Sequence, residues 1–140
     1  LEDFFKGVKK TALVPGDIVT EIEIPELKKN EGSAYFKHSV RKAMDLAIVG
    51  VGCWIKMDGS VVADCRITMG GVGITPLRAK NAEQILIGKE ITDEILEEAG
   101  VAASKECHPI SDVRASAEYR VDMIRVYTKR AVKKAIATLA

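Results

Sequence analysis

Leu46-Ala47-Ile48-Val49-Gly50-Val51-Gly52-Cys53-Trp54-Ile55-Lys56-Met57 and Val61-Val62-Ala63-Asp64-Cys65-Arg66-Ile67-Thr68-Met69 flank the turn Asp58-Gly59-Ser60. Asp-Gly between two apolar runs is the strongest short hairpin signal, because glycine accepts the positive φ that the turn demands. The first run is rich in Val, Ile and Gly and reads as a strand buried on both faces. The second alternates, with Val61, Ala63, Cys65, Ile67 and Met69 opposed to Val62, Asp64, Arg66 and Thr68. The two form an antiparallel pair.

Working outward toward the N-terminus, Ser33 to Ser39 alternates again, with Ala34, Phe36 and His38 opposite Tyr35 and Lys37. Val40 to Asp45 is a polar excursion that joins it to the hairpin. Asp17 to Pro25 also alternates. Ile18, Thr20, Ile22 and Ile24 share one side, and Val19, Glu21 and Glu23 the other. That predicts a strand with one wet face, closed by Pro25. Glu26 to Gly32 is then a turn or loop.

On the C-terminal side the period changes. Leu77 to Ile87 approaches helical spacing and ends at Gly88. Thr92 caps a second helix whose acidic start suits the helix dipole. Cys107 to Ala117 is a loop around Pro109. Glu118 to Leu139 carries the strongest helical periodicity, with Lys129, Arg130, Lys133 and Lys134 near its end. Strands first and helices last predict an α+β fold: an antiparallel sheet of three to four strands, followed by about three helices on one face. Residues 1–140 read as a single domain without repeats.

Composition narrows the function classes. The 140 residues carry 21 Lys+Arg against 20 Asp+Glu, a net charge of +1. This disfavours a nucleic-acid binder or a polybasic membrane anchor. The opening Leu1-Glu2-Asp3-Phe4-Phe5 has no signal-peptide pattern and reads as text from inside a longer protein. No apolar run approaches the ~18 residues of a membrane span. Cys53, Cys65 and Cys107 form no CxxC, and three unpaired thiols fit a reducing, cytoplasmic compartment.

No catalytic centre and no metal site emerges from spacing. Gly70-Gly71-Val72-Gly73-Ile74-Thr75-Pro76 lies between a strand and a helix, but Pro76 occupies the place of the third glycine of a dinucleotide turn. It reads as a tight crossover after which Pro76 starts the helix. Cys107 and His108 are adjacent, but neighbours rarely face each other as nucleophile and base. Lys37, Arg41 and Asp45 stand four apart in the excursion between two strands, a place where binding residues concentrate. Lys and Arg offer anion contacts, and Asp can orient Arg.

Three ordered stretches carry a resemblance. They are Tyr35-Phe36-Lys37-His38-Ser39-Val40-Arg41 with Asp45-Leu46-Ala47, then Gly70 to Ala79, then Ser116-Ala117-Glu118-Tyr119-Arg120. Together with Glu2-Asp3-Phe4-Phe5 and Ile22-Glu23-Ile24-Pro25, they make the chain similar to the C-terminal domain of the FAD-binding (medium) subunit of the xanthine dehydrogenase, carbon monoxide dehydrogenase and aldehyde oxidase family. The resemblance implies an oxidoreductase role within a multi-subunit complex. FAD would be held mainly by an N-terminal FAD-binding portion that precedes this domain. Electrons would pass from molybdopterin in a large subunit, through [2Fe-2S] iron–sulfur clusters in a small subunit, to FAD and an outside acceptor.

The resemblance also implies that Lys37 lies by the flavin ring, that Arg41 and Asp45 lie near the flavin and acceptor access, and that Val19 packs near the ring. A cation there favours the reduced, anionic ring. Gly70 to Ala79 and Ser116 to Arg120 would serve the fold. The competing expectation is a non-catalytic α+β module for subunit assembly without cofactor contact; a homo-oligomer is compatible with either.

Overall fold

A computed structural model describes residues 1–139; the expected domain runs to Ala140, which lies outside the described residues. The elements are β1 (Phe5–Gly7), β2 (Lys10–Thr11), β3 (Glu31–His38), β4 (Val49–Asp58), β5 (Val61–Gly70), β6 (Leu77–Arg78), α1 (Lys80–Leu86), α2 (Asp93–Lys105) and α3 (Ala117–Ile136). β3, β4, β5 and β6 form an antiparallel sheet in that order, and β1 and β2 form a separate two-stranded ribbon. Strands β3 to β5 and the three helices realise the α+β arrangement that the sequence predicts. The ribbon is an addition that no alternation announces.

The Asp58-Gly59 turn closes the central hairpin, with Gly59 at φ +60°. One face of the sheet is the core. Val49, Val51, Cys53, Ile55 and Met57 of β4 point into it beside Val62, Cys65, Ile67 and Met69 of β5. The β5 alternation differs from expectation because of a bulge. Lys56 pairs with Asp64 and Met57 with Val62, so Ala63 is the extra residue and the face switches there. Val62 is therefore buried, whereas Ala63 is exposed.

Helices α3 and α1 cover this face. α3 lies over β3 and β4, α1 over β5, and α2 packs against both helices. α3 buries Ile124, Thr128, Ala131, Val132 and Ala135 on one stripe. Gly32 of β3 lets it approach closely, since a Cβ there would lie 2.1 Å from the Ala135 carbonyl oxygen.

Two expected elements are corrected. Leu77 to Ile87 is not one helix. Leu77 and Arg78 first pair with Met69 and Thr68 as β6, and the helix starts only at Lys80. Glu83 enforces this: its carboxylate takes the Ile67 N–H at 2.7 Å and the Arg78 guanidinium at 2.7 Å on each oxygen. α1 has no side-chain cap of its own. The Glu106 carboxylate, at the end of α2, accepts from the Asn81 and Ala82 amides instead. The second correction is Asp17 to Pro25, which forms no strand: none of the described strands pairs with it.

Arg120, at the start of α3, is buried and joins three loops. Its guanidinium donates to the Ile48 carbonyl, to the Gly71 carbonyl at 3.2 Å and to Asp112 Oδ1 at 2.8 Å. Hydrogen bonds from the Arg114 side chain and amide, and then from Arg120, hold the Asp112 carboxyl well below the usual carboxylate range. A carboxylate with a depressed folded pKa stabilises the fold above its unfolded pKa, and that stability is lost as pH falls.

Urea denaturation should therefore show Arg120→Met losing about 2–4 kcal/mol, since two carbonyls and a carboxylate lose a buried donor. The stability of Asp112→Asn should fall less steeply than that of the parent below the ordinary carboxylate range. Gly32→Ala should cost about 1–3 kcal/mol by pushing α3 off β3; an unchanged midpoint would contradict the close approach.

Candidate functional site

The excursion between β3 and β4 brings Lys37, Arg41 and Asp45 together. Lys37 is the penultimate residue of β3 and points to the face of the sheet away from the helices, opposite Phe36 and His38. Its ammonium donates to the Asp45 carbonyl oxygen at 2.5 Å. The Asp45 carboxylate accepts the Arg41 amide N–H at 2.9 Å, and the Arg41 guanidinium lies 3.8 Å from its other oxygen. Ser39 Oγ donates to the Arg41 carbonyl at 2.8 Å, and Arg41 Nη2 to the Met44 carbonyl at 3.3 Å.

The Arg41 amide, more than the Arg41 charge, keeps the Asp45 carboxyl below its ordinary range against partial desolvation. Asp45 thus folds the loop around itself at neutral pH. Two cations, Lys37 and Arg41, are left at the surface with one anion between them. Lys37 spends one ammonium hydrogen on the loop and keeps two for an outside acceptor.

The floor beside Lys37 is glycine. Lys37 pairs with Gly50, and Gly50 with Gly70. The Tyr35 ring lies over Gly50 and Gly52, where Cβ atoms would meet it. Trp54 continues the same face, with the Arg66 guanidinium 5.5 Å from its ring centre. β4 is therefore not buried on both faces by a second layer. Its glycines imitate that pattern because Tyr35 covers Gly50, and Thr68 together with Tyr35 covers Gly52.

Val19, the fourth expected site residue, does not join this cluster. It is exposed on the unpaired segment before β3, and no hydrogen bond or ion pair of the described residues links it to the loop. The other candidates resolve into structure. Cys107 is buried and its thiol donates to the Ser104 carbonyl at 3.1 Å, while His108 is exposed. Burial pushes the thiols of Cys53 and Cys65 up to about 12. The glycine turn gives its Gly71 carbonyl to Arg120 and is no phosphate cradle. Lys129 and Lys133 at the basic end of α3 pair with Glu97 and Asp93.

The structure adds a residue that sequence spacing left unused. His38, facing the helices, is bracketed by the Tyr119 hydroxyl at 3.0 Å from Nε2 and the Tyr127 hydroxyl at 3.1 Å from Nδ1. It ties the end of β3, and hence the start of the Lys37 loop, to α3. A histidine opposite Tyr35 and Lys37 in an alternating run was the only hint.

Comparison with known proteins agrees with this architecture. The chain is 36% identical over 132 residues to the glyceraldehyde dehydrogenase medium chain of Sulfolobus acidocaldarius, covering 94% of this chain and 46% of that protein. It is 29% identical over 138 residues to the xanthine dehydrogenase FAD-binding subunit of Escherichia coli O157:H7, covering 98% and 47%. It superposes on a solved carbon monoxide dehydrogenase from Hydrogenophaga pseudoflava, whose molybdenum cofactor lacks the Mo-pyranopterin moiety, with a TM-score of 0.94 at 34% identity, over 99% of this chain and 48% of the other. The chain thus spans about half the length of these relatives. Residues 34–135 match the model of the CO dehydrogenase flavoprotein C-terminal domain, and the chain belongs to that family.

Proposed function

We propose that residues 1–140 form the C-terminal domain of the FAD subunit of a molybdenum-containing hydroxylase or dehydrogenase, where they cover the flavin and support electron transfer from iron–sulfur clusters through FAD to an acceptor. The observation that carries this reading is the Lys37 ammonium, held on an open, glycine-floored sheet face by the Asp45 carbonyl with Arg41 alongside. The relatives, among them an FAD-binding subunit and a dehydrogenase with a molybdenum cofactor, supply the chemical class.

The residues present fit one part of FAD. Lys37 and Arg41 suit the electron-rich edge of a planar ring, and Gly70, with open space where a side chain would stand, leaves room on the same face. Nothing in the glycine turn suits the pyrophosphate, which is left to the other half of the subunit. FAD, when bound, supplies the redox chemistry. This chain's residues would orient and screen it: Lys37 and Arg41 would hold the ring edge, Asp45 fixes both of them, and Val19 would contribute apolar contact from its separate segment. The implied partners are the FAD-binding portion, a molybdopterin large subunit and an iron–sulfur small subunit. Three free, buried cysteines accord with a cytoplasmic location.

In the chain joined to its flavin-binding half, deleting this domain should release FAD, seen as lost flavin absorbance. Retention of FAD with an unaltered spectrum would favour a non-catalytic assembly module instead. Lys37→Ala should move the flavin midpoint potential to more negative values by on the order of tens of millivolts, since a cation no longer favours the reduced ring. Lys37→Arg should restore most of the shift. Asp45→Ala should make the 39–46 loop more sensitive to limited proteolysis near neutral pH. The parent loop should loosen only as acid protonates Asp45, because its depressed pKa marks a structure stable above the usual carboxylate range and lost below it.

A further inference from the structure

Lys37 leaves the sheet where its backbone has least support. β3 pairs with β4 on one side only, and its last ladder pair is His38 with Val49. Across from Lys37 stands Gly50, which offers no side chain to steady it. On the outer face the ammonium has one hydrogen bond, to the Asp45 carbonyl. A lysine stem is flexible, so one tether at its tip does not by itself set its direction.

The firmer restraint comes from the inner face. Phe36 and His38 flank Lys37 in sequence, and both rest on the Tyr127 ring of α3. The ring centres lie 6.0 Å and 5.3 Å away, and the His38 ring is stacked at 30°. Tyr119 stands on another side of His38, with ring centres 5.9 Å apart. The two phenols take both imidazole nitrogens, Tyr119 at Nε2 and Tyr127 at Nδ1. A neutral imidazole has one donor and one acceptor nitrogen, so one tyrosine accepts while the other donates. Leucine in this place could pack on Tyr127 equally well, but it could not engage either hydroxyl. The His38 backbone extends the same restraint. Its carbonyl accepts the Ile48 N–H at 2.7 Å, and the Ile48 carbonyl accepts from Arg120, the neighbour of Tyr119. The residues that open and close the Lys37 excursion are thus both fastened to α3.

We propose that His38 is a positioning residue for Lys37, held by Tyr119 and Tyr127 so that the end of β3 aims the ammonium at one place on the outer face. Strand geometry carries the effect. Successive Cα–Cβ bonds leave on opposite faces, so a ring fixed on the inner face fixes the backbone from which Lys37 departs on the outer one. His38 points away from the outer face and acts there only through Lys37. Its consequence for the flavin rests on the functional reading above.

The test uses this chain joined to its flavin-binding half. With FAD removed, acylation of the Lys37 amine by an N-hydroxysuccinimide ester is followed by mass spectrometry, with Lys42 of the same loop as the internal reference. His38→Leu should raise the Lys37 to Lys42 ratio by about 2- to 10-fold, as expected when one ordinary hydrogen bond at Lys37 loosens. Tyr127→Phe, which removes only a hydroxyl, should raise it less, and it carries the test if the leucine variant does not fold. His38→Gln, with one donor and one acceptor, should stay near the parent. With FAD bound, His38→Leu should shift the flavin midpoint potential in the same direction as Lys37→Ala, and by less. The double variant should match Lys37→Ala alone, because a residue acting through Lys37 has nothing to act on once Lys37 is gone. Unchanged acylation in both His38→Leu and Tyr127→Phe overturns the proposal. So does a potential shift in the double variant that adds to that of Lys37→Ala, since His38 would then act on the fold at large. A raised acylation ratio together with a potential that Lys37→Ala leaves unmoved upholds the positioning role and removes the flavin reading.

Discussion

Arg120 is where the helical layer, the sheet and the long loop are fastened to one another. A guanidinium buried without partners is prohibitively unfavourable, so the surroundings have to supply acceptors in fixed places. They come from three otherwise independent stretches: the carbonyl before β4, the carbonyl after β5 and Asp112 in the loop before α3. Arg114 holds Asp112 in turn. The chain ends that leave and enter the sheet on this side cannot drift while that cation is satisfied. The end of β3 is fixed separately to α3 through His38 and its two tyrosines. The Lys37 loop is therefore suspended between two polar anchors on a single helix.

The sheet divides labour between its faces. The inner face is aliphatic and sealed by helices, and it accounts for the two inert thiols of Cys53 and Cys65. The outer face carries glycines, Tyr35, Trp54, Lys37 and Arg66, and no helix of the described residues covers it; Leu1, Glu2 and Phe5 lie beside Arg66 and Thr68 at its far side. Glycines on a central strand weaken it, and they are tolerated where another group must come close to the backbone. Tyr35 occupies part of that space, and the strip beside Lys37 remains open.

The hairpin, the order of elements, the cap at Thr92 and the stripe of α3 were legible in the sequence because each rests on local periodicity or turn chemistry. The misreadings have one cause, which is that pairing is not local. Leu77 and Arg78 have helical spacing, but a free edge of β5 and the Glu83 carboxylate claim them. Asp17 to Pro25 has strand spacing, but no edge within the chain claims it. The bulge at Ala63 depends on the register of β4 against β5, which composition does not encode. At the site, the 37, 41, 45 spacing placed the three side chains together. The carbonyl of Asp45, not its carboxylate, turned out to hold Lys37. A backbone acceptor leaves no trace in the residue letters.

Glu106 closes α2 and at the same time supplies the carboxylate that covers the free amides opening α1. A helix of seven residues is too short to persist in water by itself. α1 therefore inherits its existence from α2. It rests on α2 and on β5. Because α1 also carries Glu83, whose carboxylate braces β5 and β6, the far edge of the sheet leans on the same Glu106 contact.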